Sequence, residues 1–130
     1  MRDIEFRGKA RSGKWVIGNL VISAPQKGSL SDRDYYIFPI EEEGMYIVDP
    51  KTVGEYTGLK DKNGAKIFEG DIVKNQYESA GKIVFENVAF KIAKWSCGQF
   101  SDSICVWQSQ IEVIGNIHDN PKLLEASNGE

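Results

Sequence analysis

The sequence predicts a mainly β fold of short antiparallel strands. Period-two alternation recurs along the chain, as in Asp3–Arg7, where Ile4 and Phe6 alternate with charged side chains. Thirteen glycines against four prolines indicate many tight turns between short extended segments. A hydrophobic share of 41% beside 27% charged residues suits a buried core under a solvated surface. Together these observations favour a small β domain over a helix bundle or a disordered chain.

The first half of the chain predicts an N-terminal β lobe at about residues 1–50. Asp3–Arg7 and Lys14–Ser23 form the two strands of a hairpin, with Arg11-Ser12-Gly13 as its turn. Lys14–Ser23 is apolar on both faces, so we expect it to be covered on both sides. Residues 25–34 are polar and aperiodic, which predicts a surface loop and a candidate binding excursion. Strands resume at Tyr35–Ile40 and Met45–Val48.

The second half predicts a small closed or half-closed barrel lobe at about residues 51–118. Asn63-Gly64 is a strong hairpin-turn dipeptide because both residues tolerate positive φ. Its credible strands are Lys66–Glu69, Asp71–Tyr77, Lys82–Glu86, Val88–Trp95, Ser103–Trp107 and Ile111–Ile117. Asn120 as cap and Pro121 at the first helical position predict a short helix, so residues 119–130 form that helix and a frayed tail.

The charge distribution does not indicate a nucleic-acid partner as the first choice. The net charge is −3, and the sequence lacks the dominant basic stripe of a phosphate-binding protein. A local exception is the N-terminal segment, where five basic residues outnumber two acidic ones: Arg2, Arg7, Lys9, Arg11 and Lys14 against Asp3 and Glu5. Nucleic-acid binding therefore stays as the alternative to protein binding.

Targeting signals and cysteine usage predict a cytoplasmic protein. The first residues alternate charged and apolar side chains, whereas a secretory signal requires a continuous apolar run. Apolar stretches are far shorter than the roughly 20 residues that cross a bilayer, so no membrane association is expected. Cys97 and Cys105 are the only cysteines. One disulfide between them stays open, but reduced thiols are favoured because no disulfide framework exists.

Residues for catalysis and metal binding are scarce. His118 is the sole histidine and sits beside Asp119, a context more typical of a helix cap than of a nucleophile's base. Seven residues separate Cys97 from Cys105, which fits no common zinc pairing. The run from Gly58 to Gly64 lacks the Gly-Lys-Ser/Thr ending of a phosphate loop. We therefore expect no catalytic residue, metal or cofactor, and do not expect an enzyme.

Three blocks of the sequence resemble the YopX family of bacteriophages and prophages. They are DIEFRGKA (Asp3–Ala10) with GKWVIGNLVIS (Gly13–Ser23), YIVDPKTVGEYTGLKDKNGAKIFEGDIVK (Tyr46–Lys74), and VIGNIHDNPKLLE (Val113–Glu125). Their order and spacing cover nearly the whole chain, which we therefore treat as a single YopX-like unit over residues 1–130. The resemblance implies a phage-encoded, largely β protein of the bacterial host cytoplasm, whose later part is an SH3-type barrel and whose biochemical role is unassigned.

The central block of this resemblance is interpreted as a structural turn motif. Its members share a capacity for unusual backbone angles or local hydrogen bonds: Thr57, Gly58, Asp61, Asn63, Gly64, Gly70 and Asp71. Exposed aromatics beside lysines are a different signal, because small barrels bind peptides or single strands through them. The speculative binding patch is Tyr56, Lys60, Lys62 and Tyr77. The predicted function is a non-catalytic binding or assembly module with a phage or host protein partner, or a homo-oligomer.

Overall fold

The structure is a computed structural model that describes residues 4–24, 33–75, 80–86, 89–93, 102–103 and 110–124. Every strand pair registered among these residues is antiparallel, which confirms the predicted mainly β class. The strands are β1 Phe6–Lys9, β2 Trp15–Ile22, β3 Tyr35–Pro39, β4 Tyr46–Val48, β5 Gly54–Lys60, β6 Lys66–Phe68, β7 Asp71–Lys74, β8 Ala80–Glu86, β9 Ala89–Ala93, β10 Asp102–Ser103 and β11 Glu112–Asn116. A single 3-10 turn, Pro50–Thr52, joins β4 to β5 in the described part.

The chain divides into two compact units, Met1–Tyr56 and Thr57–Glu130. The sequence had placed this division at about residue 50, and the structure places it within β5. Each unit has a buried hydrophobic cluster of its own. They are described separately below.

The first unit is a sheet in the order β4-β3-β2-β1-β5. The predicted hairpin is confirmed, because β1 pairs with β2 in a register that places Arg7 opposite Ile17. Gly13 closes its turn with a φ of 95°, and its amide donates to the Ala10 carbonyl at 2.8 Å. A side chain there would be strained, since positive φ is disfavoured for residues with a Cβ.

The core of the first unit lies on one face of its strands. Ala10, Val16, Ile37 and Val48 are buried, and five partly buried residues pack against them: Phe6, Leu20, Tyr35, Tyr46 and Val53. An isolated bridge between Ala10 and Val48 curls the sheet. The prediction that β2 is covered on both sides is wrong: Val16 and Gly18 are buried, whereas the intervening Ile17, Asn19 and Val21 are exposed.

The second unit contains a five-stranded sheet in the order β10-β9-β8-β7-β11. Its core consists of six buried side chains, of which five are at most 1% exposed: Ile67, Val73, Ile83, Phe90, Ile92 and Ile111. Within the described residues β10 and β11 are the two free edges of this sheet. The barrel expected for residues 51–118 is therefore not found, because no pairing in this part of the chain joins the sheet's first strand to its last.

A short helix follows β11, as the sequence predicts. Residues 122–124 are helical, and the Leu123 amide donates to the Asn120 carbonyl at 3.1 Å. The Asn120 side chain accepts from the Asn116 amide at 3.2 Å, which ties the helix start to the end of β11. The predicted frayed tail after residue 124 lies outside the described residues.

Candidate functional site

The predicted turn motif holds the second unit together through buried polar side chains. Thr57 is buried, and its hydroxyl donates to the Ile67 carbonyl at 2.8 Å while accepting from the Leu59 amide at 3.2 Å. Asp71 is also buried, and its carboxylate accepts from the Phe68 amide at 2.7 Å. Each bond satisfies a buried backbone group that would otherwise destabilise the fold.

Asp61 is the most connected member of the motif. One carboxylate oxygen accepts from the amides of Asn63 and Ala65 at 2.8 and 2.9 Å. The other accepts from the Val113 amide at 2.9 Å, which fastens the β5–β6 turn to β11. Burial raises the pKa of the Asp61 carboxyl, but these backbone amides outweigh it and hold the pKa below its usual value. Asp61 therefore stays ionised as a structural acceptor.

The glycines of the motif occupy backbone conformations that suit glycine. Gly58, Gly64 and Gly70 have φ values of 90°, 87° and 94°. The Gly64 amide donates to the Asp61 carbonyl at 3.0 Å and closes the turn that the Asn63-Gly64 dipeptide predicts. Gly70 donates to the Ile83 carbonyl and accepts from the Ile117 amide, both at 2.9 Å. These glycines shape the turns of the second unit.

The structure does not assemble the speculative binding patch as expected. Tyr56 is only 5% exposed, so the prediction that it is a partly exposed aromatic is wrong. Tyr56 lies in the first half of β5, where Gly54 and Thr57 are buried as well. Lys60 and Lys62 are exposed. Tyr77 lies outside the described residues.

Some of the other candidate residues from the sequence are described by the structure and others are not. His118 lies in the turn after β11, where its amide donates to the Asn116 side chain at 2.9 Å. Cys97, Cys105 and most of the 25–34 loop lie outside the described residues. In the part that is described, no three His, Cys, Asp or Glu side chains are grouped closely enough to hold a metal ion. The same residues contain no helix with the length and apolarity of a membrane span.

An apolar surface on the first unit is the feature that sequence reasoning missed. Leaving aside Ile22, which is 42% exposed but lies on the opposite face of β2 from Val21, six large apolar side chains are 39–65% exposed on β2, β3, β4 and the β3–β4 connection: Ile17, Val21, Phe38, Ile40, Met45 and Ile47. We call these six residues the apolar surface. The apolar-on-both-faces pattern of β2 was its signal, and the sequence alone did not reveal that one face is open.

Strand register makes part of the apolar surface contiguous. Val21 on β2 is opposite Tyr36 on β3, and Tyr36 is in turn opposite Ile47 on β4. Directly opposed residues of an antiparallel pair have Cβ atoms roughly 5 Å apart. Phe38 lies two residues farther along β3 on the same face, opposite Asn19. Exposed apolar patches rimmed by polar groups are typical of protein interaction sites.

A basic cleft adjoins this surface. It has a volume of about 550 Å³ and is lined by Lys9, Ala10, Arg11, Gly13, Arg33, Asp34, Tyr35, Ile47, Val48, Asp49 and Pro50. Ile47 belongs to both features, so the cleft begins where the apolar surface ends. Its lining combines aliphatic side chains with charged ones.

The acidic and basic side chains around the basic cleft differ in the partners that they have. Asp49 accepts from the Lys51 amide at 3.0 Å, and Asp34 accepts from the Tyr36 hydroxyl at 3.3 Å. That carboxylate also raises the Tyr36 pKa, after the larger effect of the ring's own desolvation. Arg11 and Arg33 are exposed and form no ion pair with any residue that the structure describes. Two guanidinium groups are therefore available to an anion while both acids already have partners.

A polar cluster joins the β3–β4 connection to the start of β2. The Lys14 ammonium contacts the Glu42 carboxylate and the Tyr46 hydroxyl, each at 3.2 Å. The Tyr46 hydroxyl donates to Glu42 at 2.9 Å. These bonds, first from Tyr46 and then from Lys14, lower the pKa of Glu42. The cluster is solvent-exposed and limits the movement of the connection that bears Ile40 and Met45.

Comparisons with known proteins find one family model and a similar solved structure. The model of the family described as YopX protein matches residues 5–125. Among solved structures, the crystal structure of protein EF1440 from Enterococcus faecalis is similar, with a TM-score of 0.52 and 26% sequence identity. The similarity covers 95% of this chain and 99% of that chain. Comparison with curated proteins finds no match.

Proposed function

The chain belongs to the YopX protein family, and from this premise we propose that it is a non-catalytic binding or assembly module of a phage or prophage. It would act in the cytoplasm of the bacterial host through a protein partner. The observation that carries the proposal is the apolar surface of the first unit, with its six side chains 39–65% exposed. Soluble domains seldom leave so many large apolar groups on neighbouring strands without a partner.

The energetics favour a protein partner for this surface. Covering the exposed half of each side chain stabilises a complex by about 1 kcal/mol, so six of them contribute about 6 kcal/mol. Apolar groups that the partner brings contribute in the same way. Their sum is comparable to the estimated cost of roughly 4–15 kcal/mol for association. Apolar burial therefore offsets much of the cost of association, and contacts at the polar rim would supply the remainder and set specificity.

Site-specific photo-crosslinking in bacterial cells tests this proposal. A photoreactive side chain replaces Ile40, the most exposed member of the apolar surface at 65%, and the matched control places it at the exposed Lys60. We expect a discrete crosslinked species from position 40 that is absent from position 60. The Ile47→Ser substitution should abolish it. No species at position 40, or the same species from both positions, would contradict the proposal.

Nucleic-acid binding through β1 is the second candidate function. Its support is the pair of cations stacked near one aromatic ring: the Arg7 guanidinium carbon is 5.0 Å from the Trp15 ring centroid and the Lys9 ammonium 5.9 Å. Of these two cations Lys9 suits phosphate contacts, since the Nε and Nη2 atoms of Arg7 are buried. A mobility shift that weakens steeply above about 50 mM salt, and weakens further in Lys9→Gln, would favour this candidate. The absence of any shift at low salt would remove it.

A further inference from the structure

We infer that the basic cleft and the apolar surface together recognise a peptide segment in which an acidic side chain flanks apolar ones. This inference rests on the proposed function and names the chemistry of the partner. Ile47 connects the two features, since it lines the cleft and is opposite Tyr36 on the outer face of the sheet. A ligand that covers the apolar surface at Ile47 therefore reaches the cleft with its next residues.

Charge complementarity selects an acid for the cleft. Arg11 and Arg33 are exposed at its lining and form no ion pair among the described residues. Guanidinium groups bind carboxylates through two parallel N–H···O bonds, which adds geometric specificity to the attraction. The three cations of the lining, Lys9, Arg11 and Arg33, outnumber its two acids, Asp34 and Asp49, so the cleft keeps an excess of one positive charge.

The cleft is less suited to a polyanion. Asp34 and Asp49 line it together with the cations, so successive phosphates along a nucleic acid would meet both carboxylates. A peptide can place one acidic side chain between Arg11 and Arg33 and apolar side chains elsewhere. Ala10, Val48 and Pro50 in the lining also favour aliphatic contact over a solvated backbone. These features identify the occupant as an acidic, apolar peptide segment of a partner protein.

Panning random dodecapeptides on the full chain tests the inference. Expected winners combine Asp or Glu with Leu, Ile or Phe, and a synthetic winner should bind at least about tenfold more weakly to the Arg11→Gln/Arg33→Gln variant. The matched control, Lys66→Gln/Lys122→Gln, removes the same charge from exposed positions in the second unit and should bind as the unaltered chain does.

The outcomes separate this inference from the proposed function. Winners without acidic residues, or winners that bind the arginine variant unchanged, would overturn the inference. If such winners still require Ile40 and Met45, the apolar surface remains a binding site and the proposed function stands. Selected peptides whose binding requires neither Arg11 and Arg33 nor Ile40 and Met45 would contradict the inference and the proposed function alike. If panning selects no peptide, the peptide inference is overturned. The crosslinking experiment then decides the proposed function on its own.

Discussion

The two units of this chain differ in where they place their large apolar side chains. In the second unit Ile67, Val73, Ile83 and Ile92 are at most 1% exposed and share one core with Ile111. In the first unit four hydrophobic residues form the buried cluster, while eight large apolar residues of the described part are exposed: the six of the apolar surface together with Ile4 and Ile22. Among the described residues of the second unit Phe85 is exposed in the same way. Burial stabilises a fold, and exposure makes the same chemistry available to a partner. We therefore expect the second unit to be the more stable scaffold, and we propose that the first unit carries the binding surface.

Truncation of the second unit's core has the largest expected effect on stability. Ile83→Ala removes most of a side chain that is 1% exposed within the core cluster. We expect the free energy of unfolding to fall by about 2–5 kcal/mol, because a cavity remains where the side chain packed. Urea denaturation measures it. Ile40→Ala, on the apolar surface of the first unit, is the control. It should change the free energy of unfolding by less than about 0.5 kcal/mol.

Gly18→Ala tests the tight packing inside the first unit. A Cβ at this position would lie 2.0 Å from the Phe38 carbonyl oxygen, which belongs to the neighbouring strand backbone. The strands must separate to admit it, at a cost of about 1–3 kcal/mol in unfolding free energy. Thermal unfolding detects the loss. Unchanged stability would show that the β2–β3 contact is looser than described. It would also contradict the placement of the apolar surface, which depends on that contact.

Asp61→Asn should destabilise the second unit by about 1–3 kcal/mol at neutral pH, since a charged acceptor of three backbone amides is lost. The folded-state pKa of Asp61 lies below its unfolded value, so its contribution is present above the unfolded pKa. That contribution disappears as pH falls through the folded pKa. Denaturation from pH 7 to pH 2 should therefore show less acid destabilisation in Asp61→Asn than in Glu41→Gln, a substitution of an exposed carboxylate.

The smallest effect is expected from Glu42→Gln. The Lys14–Glu42 ion pair is 3.2 Å long and both side chains are about half exposed. Exposed ion pairs contribute little because water and salt screen them. The urea midpoint should not change measurably. A clear loss of stability would mean that the β3–β4 connection supports the first unit more than its exposure indicates.

Local signals in the sequence were sufficient for part of this fold. Alternation predicted the strands, and Asn63-Gly64 predicted a turn, because both depend on a few neighbouring residues. The bond from Val113 to Asp61 spans 52 residues and has no local signature. Barrel closure was wrongly expected for a related reason: short strands predict a sheet, but closure depends on whether its first and last strands meet.

The candidate site was harder to predict than the fold. β2 was recognised as a strand that is apolar on both faces, and such a pattern describes equally a strand buried on both sides and one with an exposed binding face. The strand register distinguishes these two cases, since Val21 is opposite Tyr36 and Tyr36 is opposite Ile47. That register is set by long-range contacts, which the sequence pattern does not contain. Tyr56 was misplaced because aromatic residues suit exposed patches and cores alike.

The central claim is that the apolar surface serves binding and contributes little to folding. The most direct test measures both properties on one variant, Ile40→Ser/Met45→Ser, by urea denaturation and by crosslinking from a photoreactive side chain at Ile47. We predict an unchanged urea midpoint together with the loss of the crosslinked species. A lowered midpoint, or a crosslink that persists, would contradict the claim and assign these side chains to the packing of the first unit.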